Sequence, residues 1–215
     1  MKANPALGIR GRAGTTGRKR VLSEAELAEV WRACQDDDHG RILRLLILTG
    51  QRRGEIADLE WIEISATEAQ IELPPHRTKN GHAHLVPISD EAAAVLAGAP
   101  RWQDREHVFG SGALRGFQGW SIAKSELDGR IAEARKKAGS TEPMAHWTVH
   151  DIRRSFVTHV GERGFAAPHV IEAIVNHVSG AKAGVAGVYN KAQYLDERRK
   201  ALTAWAAHVA KLVGR

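Results

Sequence analysis

Apolar positions recur with a helical period over most of this chain and switch to a strand period once. Leu27, Val30, Trp31 and Cys34 share one face of a helix that opens at Ser23. Ser23, with Glu26 three residues later, is a capping-box pattern, so order is expected from there onward. A second helix, about Arg41 to Thr49, is apolar almost throughout and should be central; Gly50 ends or bends it. A helical turn follows over Glu55 to Leu59. Then the period changes. Trp61, Ile62 and Ile64, next Ile71 and Leu73, next Leu85, Val86 and Ile88 predict three short strands. Pro74 to Gly81 lies between the second and third. Its Asn80-Gly81 pair is a turn signal, which puts Lys79 at or beside a hairpin turn.

The helical period resumes over Asp90 to Ala97. Residues 98–120 are Gly-rich and read as loop. A helix is predicted from about Glu126 to Ala138, stopped by Gly139. Thr148 and Asp151 resemble a capping pair for a helix reaching about Glu162. Pro168 suits the first turn of the next helix, which ends near Asn176. A Gly-rich link, Ser179 to Gly187, precedes a last helix, Ala201 to Val213, with Leu202, Trp205, Val209 and Leu212 on its apolar face. The sum is a mainly α domain over 21–215 with a small three-stranded antiparallel β-sheet. Residues 1–20 hold Lys2, Arg10, Arg12, Arg18, Lys19 and Arg20 and no acid, and read as a flexible basic tail or linker.

Charge and composition narrow the picture. The 215 residues carry 31 Lys+Arg against 25 Asp+Glu, a net charge of +6, and the pI is about 9.7. That balance suits a polyanionic partner such as nucleic acid without identifying one. A single cysteine, Cys34, excludes an internal disulfide framework and a Cys-rich zinc cluster, and fits a reducing compartment. The N-terminus has no signal-peptide core, and Ile42 to Leu48 falls well short of the ~20 apolar residues of a membrane span. A cytoplasmic protein without a membrane partner is expected.

Several residue groups carry chemistry. Thr49-Gly50-Gln51-Arg52-Arg53-Gly54-Glu55 sets two arginines directly after an apolar helix. An arginine held there by Glu55 can offer a planar guanidinium to phosphate; the alternative is an ordinary surface Arg–Glu pair. His150 and Arg153 stand at i and i+3, so one helical face presents both, unless the helix is merely amphipathic. His177 ends a helix, and twelve residues later Tyr189 offers a phenol; Tyr194 is the only other tyrosine. His76, His82 and His84 flank the hairpin turn, but no carboxylate or Cys pattern accompanies them as in a metal site. Phosphate contact or solvent exposure is expected for them, and Arg77 and Lys79 are expected to face outward, toward a polyanionic partner. Arg130, Arg135, Lys136 and Lys137 read as a solvated helix face. Trp61, Trp102, Trp120 and Trp147 read as core or loop anchors.

Taken in order, T-G-x-R-x-x-E, a hairpin lysine, H-x-x-R, an isolated histidine and a following tyrosine resemble the catalytic domain of tyrosine recombinases, the phage-integrase family. The resemblance covers roughly residues 20–215. It implies that Arg52 and Arg153 are catalytic arginines and that Glu55 supports the first. It makes Lys79 the hairpin lysine, His150 the box histidine, His177 the second histidine and Tyr189 the nucleophile. Tyr194, five residues beyond, is a second candidate, but Val-Tyr-Asn after the Gly-rich link fits better at Tyr189. One departure stands out: the family's second histidine commonly follows Leu-Gly, and here it follows Val175-Asn176. The family's preceding DNA-clamping domain has no counterpart in these residues, so a fragment, or a chain acting without the clamp, is expected.

The chemistry so implied is site-specific recombination of double-stranded DNA through a 3′-phosphotyrosine, with no metal and no cofactor. The chain is expected to be a monomer in solution and a dimer or tetramer on DNA, in a prokaryotic or phage setting near the nucleoid. A type IB topoisomerase, a non-catalytic DNA-binding module and a metal-dependent nuclease are the competing readings.

Overall fold

The structure, a computed structural model, describes residues 20–112, 115–140, 142–177 and 194–214. Its centre is α2 (Asp38–Thr49), in which only Asp38 and Arg44 are not buried. A helix so apolar has to be enclosed. Helices α1 (Glu24–Ala33), α4 (Asp90–Ala97), α6 (Val149–Glu162) and α8 (Leu195–Val213) all pack against it. Trp205 of α8 is fully buried; its indole N–H donates to the Ile47 carbonyl at 2.7 Å, and its ring meets Phe156 edge-on. Helix α7 (Pro168–Ile174) lies against α6 and α8, and α5 (Trp120–Lys137) against α1.

The helix starts are local chemistry. At α1, the Ser23 hydroxyl accepts from Glu26 N and the Glu26 carboxylate accepts from Ser23 N, the expected box. At α6, the Asp151 carboxylate accepts from both Thr148 N and the Thr148 hydroxyl at 2.8 Å. Helix α2 begins earlier than its apolar run, because Asp37 caps it by accepting from Gly40 N at 2.7 Å. Helix α5 begins at Trp120, six residues before the expected Glu126. Trp120 anchors that extra turn against Phe117 and His39.

The sheet is antiparallel in the order β1 (Ile64–Ser65), β2 (Gln70–Leu73), β3 (His84–Pro87), with Ile64 opposite Ile71 and Ile71 opposite Val86. The first strand is shorter than expected. Trp61–Glu63 is instead a 3-10 turn, closed by the Glu63 carboxylate accepting from Glu60 N at 3.0 Å. Between β2 and β3 the chain makes another 3-10 turn, Pro75–Arg77, before the reversal at Thr78–Gly81. Arg198 of α8 donates to the Leu85 carbonyl, tying the last helix to this sheet, and burial lowers its pKa to about 10.

The chain enters the fold along α6. Leu22 N donates to the Ser155 hydroxyl at 2.7 Å, and the His159 ring bonds the Leu22 carbonyl at the same distance. Apart from Arg20, the expected basic tail lies outside the described residues, as does the Gly-rich link Ser179 to Gly187. Among the described residues no helix is long and apolar enough to cross a membrane.

Candidate active site

Helix α2 ends where it does because Gly50 turns left-handed, with φ of 65°. A Cβ there would meet Phe156 Cδ1 at 2.3 Å, so both the conformation and the close approach require glycine. The reversal delivers Arg52 to the start of α3 (Arg53–Ala57). There Glu55, buried, accepts from Arg52 N at 3.0 Å with one oxygen and from Nη1 at 2.8 Å with the other. Arg52 Nη2 donates to the Asn176 carbonyl at 3.0 Å. One guanidinium is thus held from two distant parts of the chain. Next to it, buried Gln51 donates to the Thr49 and Ile174 carbonyls, both at 2.9 Å.

Arg153 reaches the same place from the first turns of α6. It is buried, and its two terminal nitrogens donate to the Gly50 carbonyl at 2.9 Å and to the Val175 carbonyl. Burial first, and the Arg52 charge second, lower its pKa to about 10, with Glu55 opposing. His150, three residues earlier and exposed, has its pKa held below the ordinary histidine value. Partial burial is the larger cause; the charges of Arg154 and Arg153 follow, and Lys79 adds to them. Lys79 is exposed on the β2–β3 connection, close enough for its charge to act on His150. His150 is therefore largely neutral at neutral pH and able to accept a proton.

His177 follows α7, and its N–H donates to the Glu172 carbonyl at 2.9 Å. It lines a cleft of about 680 Å³ together with His150, Arg153, Glu172 and Val175. The departure noted before it has a physical reason. Asn176 sits at φ of 48°, the left-handed region that glycine occupies without strain and that asparagine tolerates best among the others. Its carbonyl is the one Arg52 uses. Its side chain also meets the hairpin: Asn80 Nδ2 donates to Asn176 Oδ1 at 2.8 Å, and Asn176 Nδ2 donates to Asn80 Oδ1 at 3.2 Å.

The structure therefore brings Arg52, Glu55, Lys79, His150, Arg153 and His177 to one side of the molecule. Tyr189 lies outside the described residues. Tyr194 is at the head of α8, with φ of 47° and its ring edge-on to His169 at 4.9 Å. His169 is at the start of α7 and His177 is beyond its end, so Tyr194 packs at the opposite end of that helix.

Two expectations for the hairpin are corrected. Arg77 does not face outward. It pairs with buried Glu63 at 2.8 Å and donates to the Glu55 and Asp58 carbonyls, the latter at 2.5 Å, so it locks the connection onto α3. His84 is neither exposed nor free for phosphate. It is buried, and its Nε2 bonds Gln51 Oε1 at 3.0 Å and the Ile174 carbonyl at 3.1 Å. His76 and His82 are exposed. On α5, Arg130 and Arg135 are also tied rather than only solvated, to the Ala33 carbonyl and to Glu29. Trp147 is buried, with Lys124 over its ring at 3.9 Å, whereas Trp102 is 61% exposed and anchors nothing in the core.

A mainly helical domain with this small antiparallel sheet is the fold of tyrosine recombinase catalytic domains. The integrase of mycobacterium phage Brujita shares it with a TM-score of 0.62 at 15% identity, over 99% of this chain and 69% of that one. A lambda integrase tetramer bound to a Holliday junction gives 0.55 at 16% identity, over 83% and 52%. Residues 20–194 match the phage integrase family, and the chain belongs to it. Prophage integrase IntZ of Escherichia coli K12 is 34% identical over 157 residues, 73% of this chain and 36% of that protein. The chain thus spans about a third of that relative's length.

Proposed function

We propose that this chain is the catalytic domain of a site-specific recombinase that cuts and rejoins double-stranded DNA. The observation that carries the reading is the convergence of Arg52 and Arg153, each held by backbone carbonyls, beside His150, His177 and Lys79. Two fixed guanidiniums fit the non-bridging oxygens of one backbone phosphate, where charge grows in the pentacoordinate transition state. Tyr189 Oη attacks that phosphorus. A Tyr–O–P bond forms, the P–O5′ bond breaks, and a 3′-phosphotyrosine and a 5′-hydroxyl result. Tyr189 gives its proton to His150, whose lowered pKa keeps it neutral beforehand. Lys79 gives a proton to the departing O5′. His177 adds a hydrogen bond to the phosphate. Rejoining runs the steps backward, with the covalent bond conserving the energy of the broken one.

The packing of Tyr194 against His169, away from His177, supports Tyr189 as the nucleophile. The Holliday-junction tetramer of the lambda integrase supports assembly on DNA, and a phage or bacterial setting fits the relatives. The test is covalent trapping on nicked duplexes from DNA flanking the gene, with chelator present. An adduct that survives denaturing electrophoresis and disappears in Tyr189→Phe, but not in Tyr194→Phe, is expected. Loss only in Tyr194→Phe overturns the nucleophile. Salt-sensitive DNA binding without any adduct, persisting when the family's DNA-clamping domain is joined to the chain, overturns the enzyme and leaves a binding module.

A further inference from the structure

We infer that the Asn80–Asn176 amide pair is a clasp that positions Lys79 for its proton transfer. The inference rests on the recombinase reading and goes beyond it by assigning two positioning residues. Lys79 is exposed on a long connection between β2 and β3, and β3 begins only at His84. Something else has to aim it. Its immediate neighbour Asn80 makes three contacts with Asn176: Nδ2 to Oδ1 at 2.8 Å, Nδ2 to the carbonyl at 3.2 Å, and Oδ1 from Asn176 Nδ2 at 3.2 Å. Asn80 Oδ1 also accepts from His82 N at 3.3 Å, which shapes the turn around Lys79.

The partner is as telling as the bonds. Asn176 stands between Val175, whose carbonyl holds Arg153, and His177. Its own carbonyl holds Arg52. The clasp therefore references the lysine to the same backbone segment that sets both arginines. A glycine at 176 would satisfy the left-handed backbone equally well, so the backbone alone does not call for the amide. A pair of partly buried amides is also weak enough to open, as a donor that must follow a leaving oxygen requires.

The experiment compares two nicked duplexes in single-turnover adduct formation. One carries the ordinary scissile phosphate. In the other, sulfur replaces the bridging O5′; a thiol is acidic enough to leave without a proton donor. The proteins are wild type, Asn80→Ala, Asn176→Gly, Lys79→Ala and the Lys79→Ala/Asn80→Ala double variant. Asn176→Gly keeps the left-handed backbone and the carbonyl that Arg52 uses. Asn80→Ala and Asn176→Gly are expected to slow cleavage of ordinary DNA by about 5- to 30-fold, the worth of one or two such bonds. On the sulfur substrate both should match wild type. Lys79→Ala should show the same pattern with a larger loss, and Asn80→Ala should add nothing to it. Equal slowing on both substrates, or slowing on neither, overturns the clasp. Additive losses in the double variant do the same. A wild type that forms no adduct on either duplex, even when joined to the family's DNA-clamping domain, sinks the recombinase reading, and the clasp with it.

Discussion

The two halves of the site are built differently. The arginine half is set in the core: Glu55 and Arg153 are buried, and the guanidiniums rest on the carbonyls of Gly50, Val175 and Asn176. The lysine half hangs on an exposed connection, fixed by Arg77 at its root and by two amides near its tip. Under the proposed mechanism the difference follows the tasks. Groups that stabilise growing charge work best when nothing reorganises during the reaction. A proton donor must reach an oxygen that is moving away. Rigidity is placed where charge is held, and compliance where a proton is delivered.

The strongest way to break this comparison is Arg153→Lys. A lysine keeps the charge but cannot fork to the Gly50 and Val175 carbonyls while facing phosphate. Adduct formation should fall by ~10²–10³, as for loss of one positioned donor. DNA affinity at low salt should stay near wild type, since the phosphate attraction remains. Cleavage close to wild type would mean that charge alone suffices and that the buried geometry is incidental. Glu55→Gln is the milder probe. The amide still accepts from one nitrogen of Arg52 but gives up the charge-assisted second bond, so cleavage should slow by about tenfold. It should slow equally on oxygen and sulfur substrates, because the arginines act on the phosphate and not on the leaving group. A Glu55→Gln defect cured by sulfur would merge the two halves into one.

The candidate site was legible because its residue types, taken in order along the chain, resemble the phage-integrase pattern. Arg52, His150, Arg153 and His177 could be named without coordinates, and so could the caps at Ser23 and Thr148, whose partners lie three residues away. What escaped depends on partners far off in sequence. Arg77 looked like a DNA contact, yet its role is decided by Glu63, fourteen residues earlier. Asn80 and Asn176 are 96 residues apart; in the sequence only the departure from Leu-Gly at Val175-Asn176 marked the second of them. The first turn of α5 was missed because exposed Ile122 interrupts any apolar period there, and its anchor is the ring of Trp120 on Phe117. Local rules gave the elements and the chemistry, while the positioning contacts belong to tertiary structure.

The smallest effect is on stability, and it tests how firmly the root of the hairpin is seated. His84 begins β3, and its Nε2–H faces two acceptors, Gln51 Oε1 and the Ile174 carbonyl. Burial, then the charge of Arg198, lowers its pKa from 6.5 to about 3, with Arg153 and Arg52 adding to the same effect. The folded protein thus holds His84 neutral where the unfolded chain binds a proton. Above pH 6.5 neither state is protonated at this residue and its contribution is constant. As pH falls through 6.5 toward 3, the unfolded state gains a proton that the folded state lacks, so stability drops. Glu24, held down to about 2 mainly by Arg163, adds its own loss only below its ordinary 4.5. The window between 4.5 and 6.5 therefore isolates histidines. His84→Gln keeps an N–H donor for the same acceptors and removes the titration. Its Tm should fall less than that of wild type between about pH 7 and about pH 5. Parallel Tm curves would show that His84 is solvated enough to protonate in place, and that the sheet is no firmer a base for the hairpin than the turn it carries.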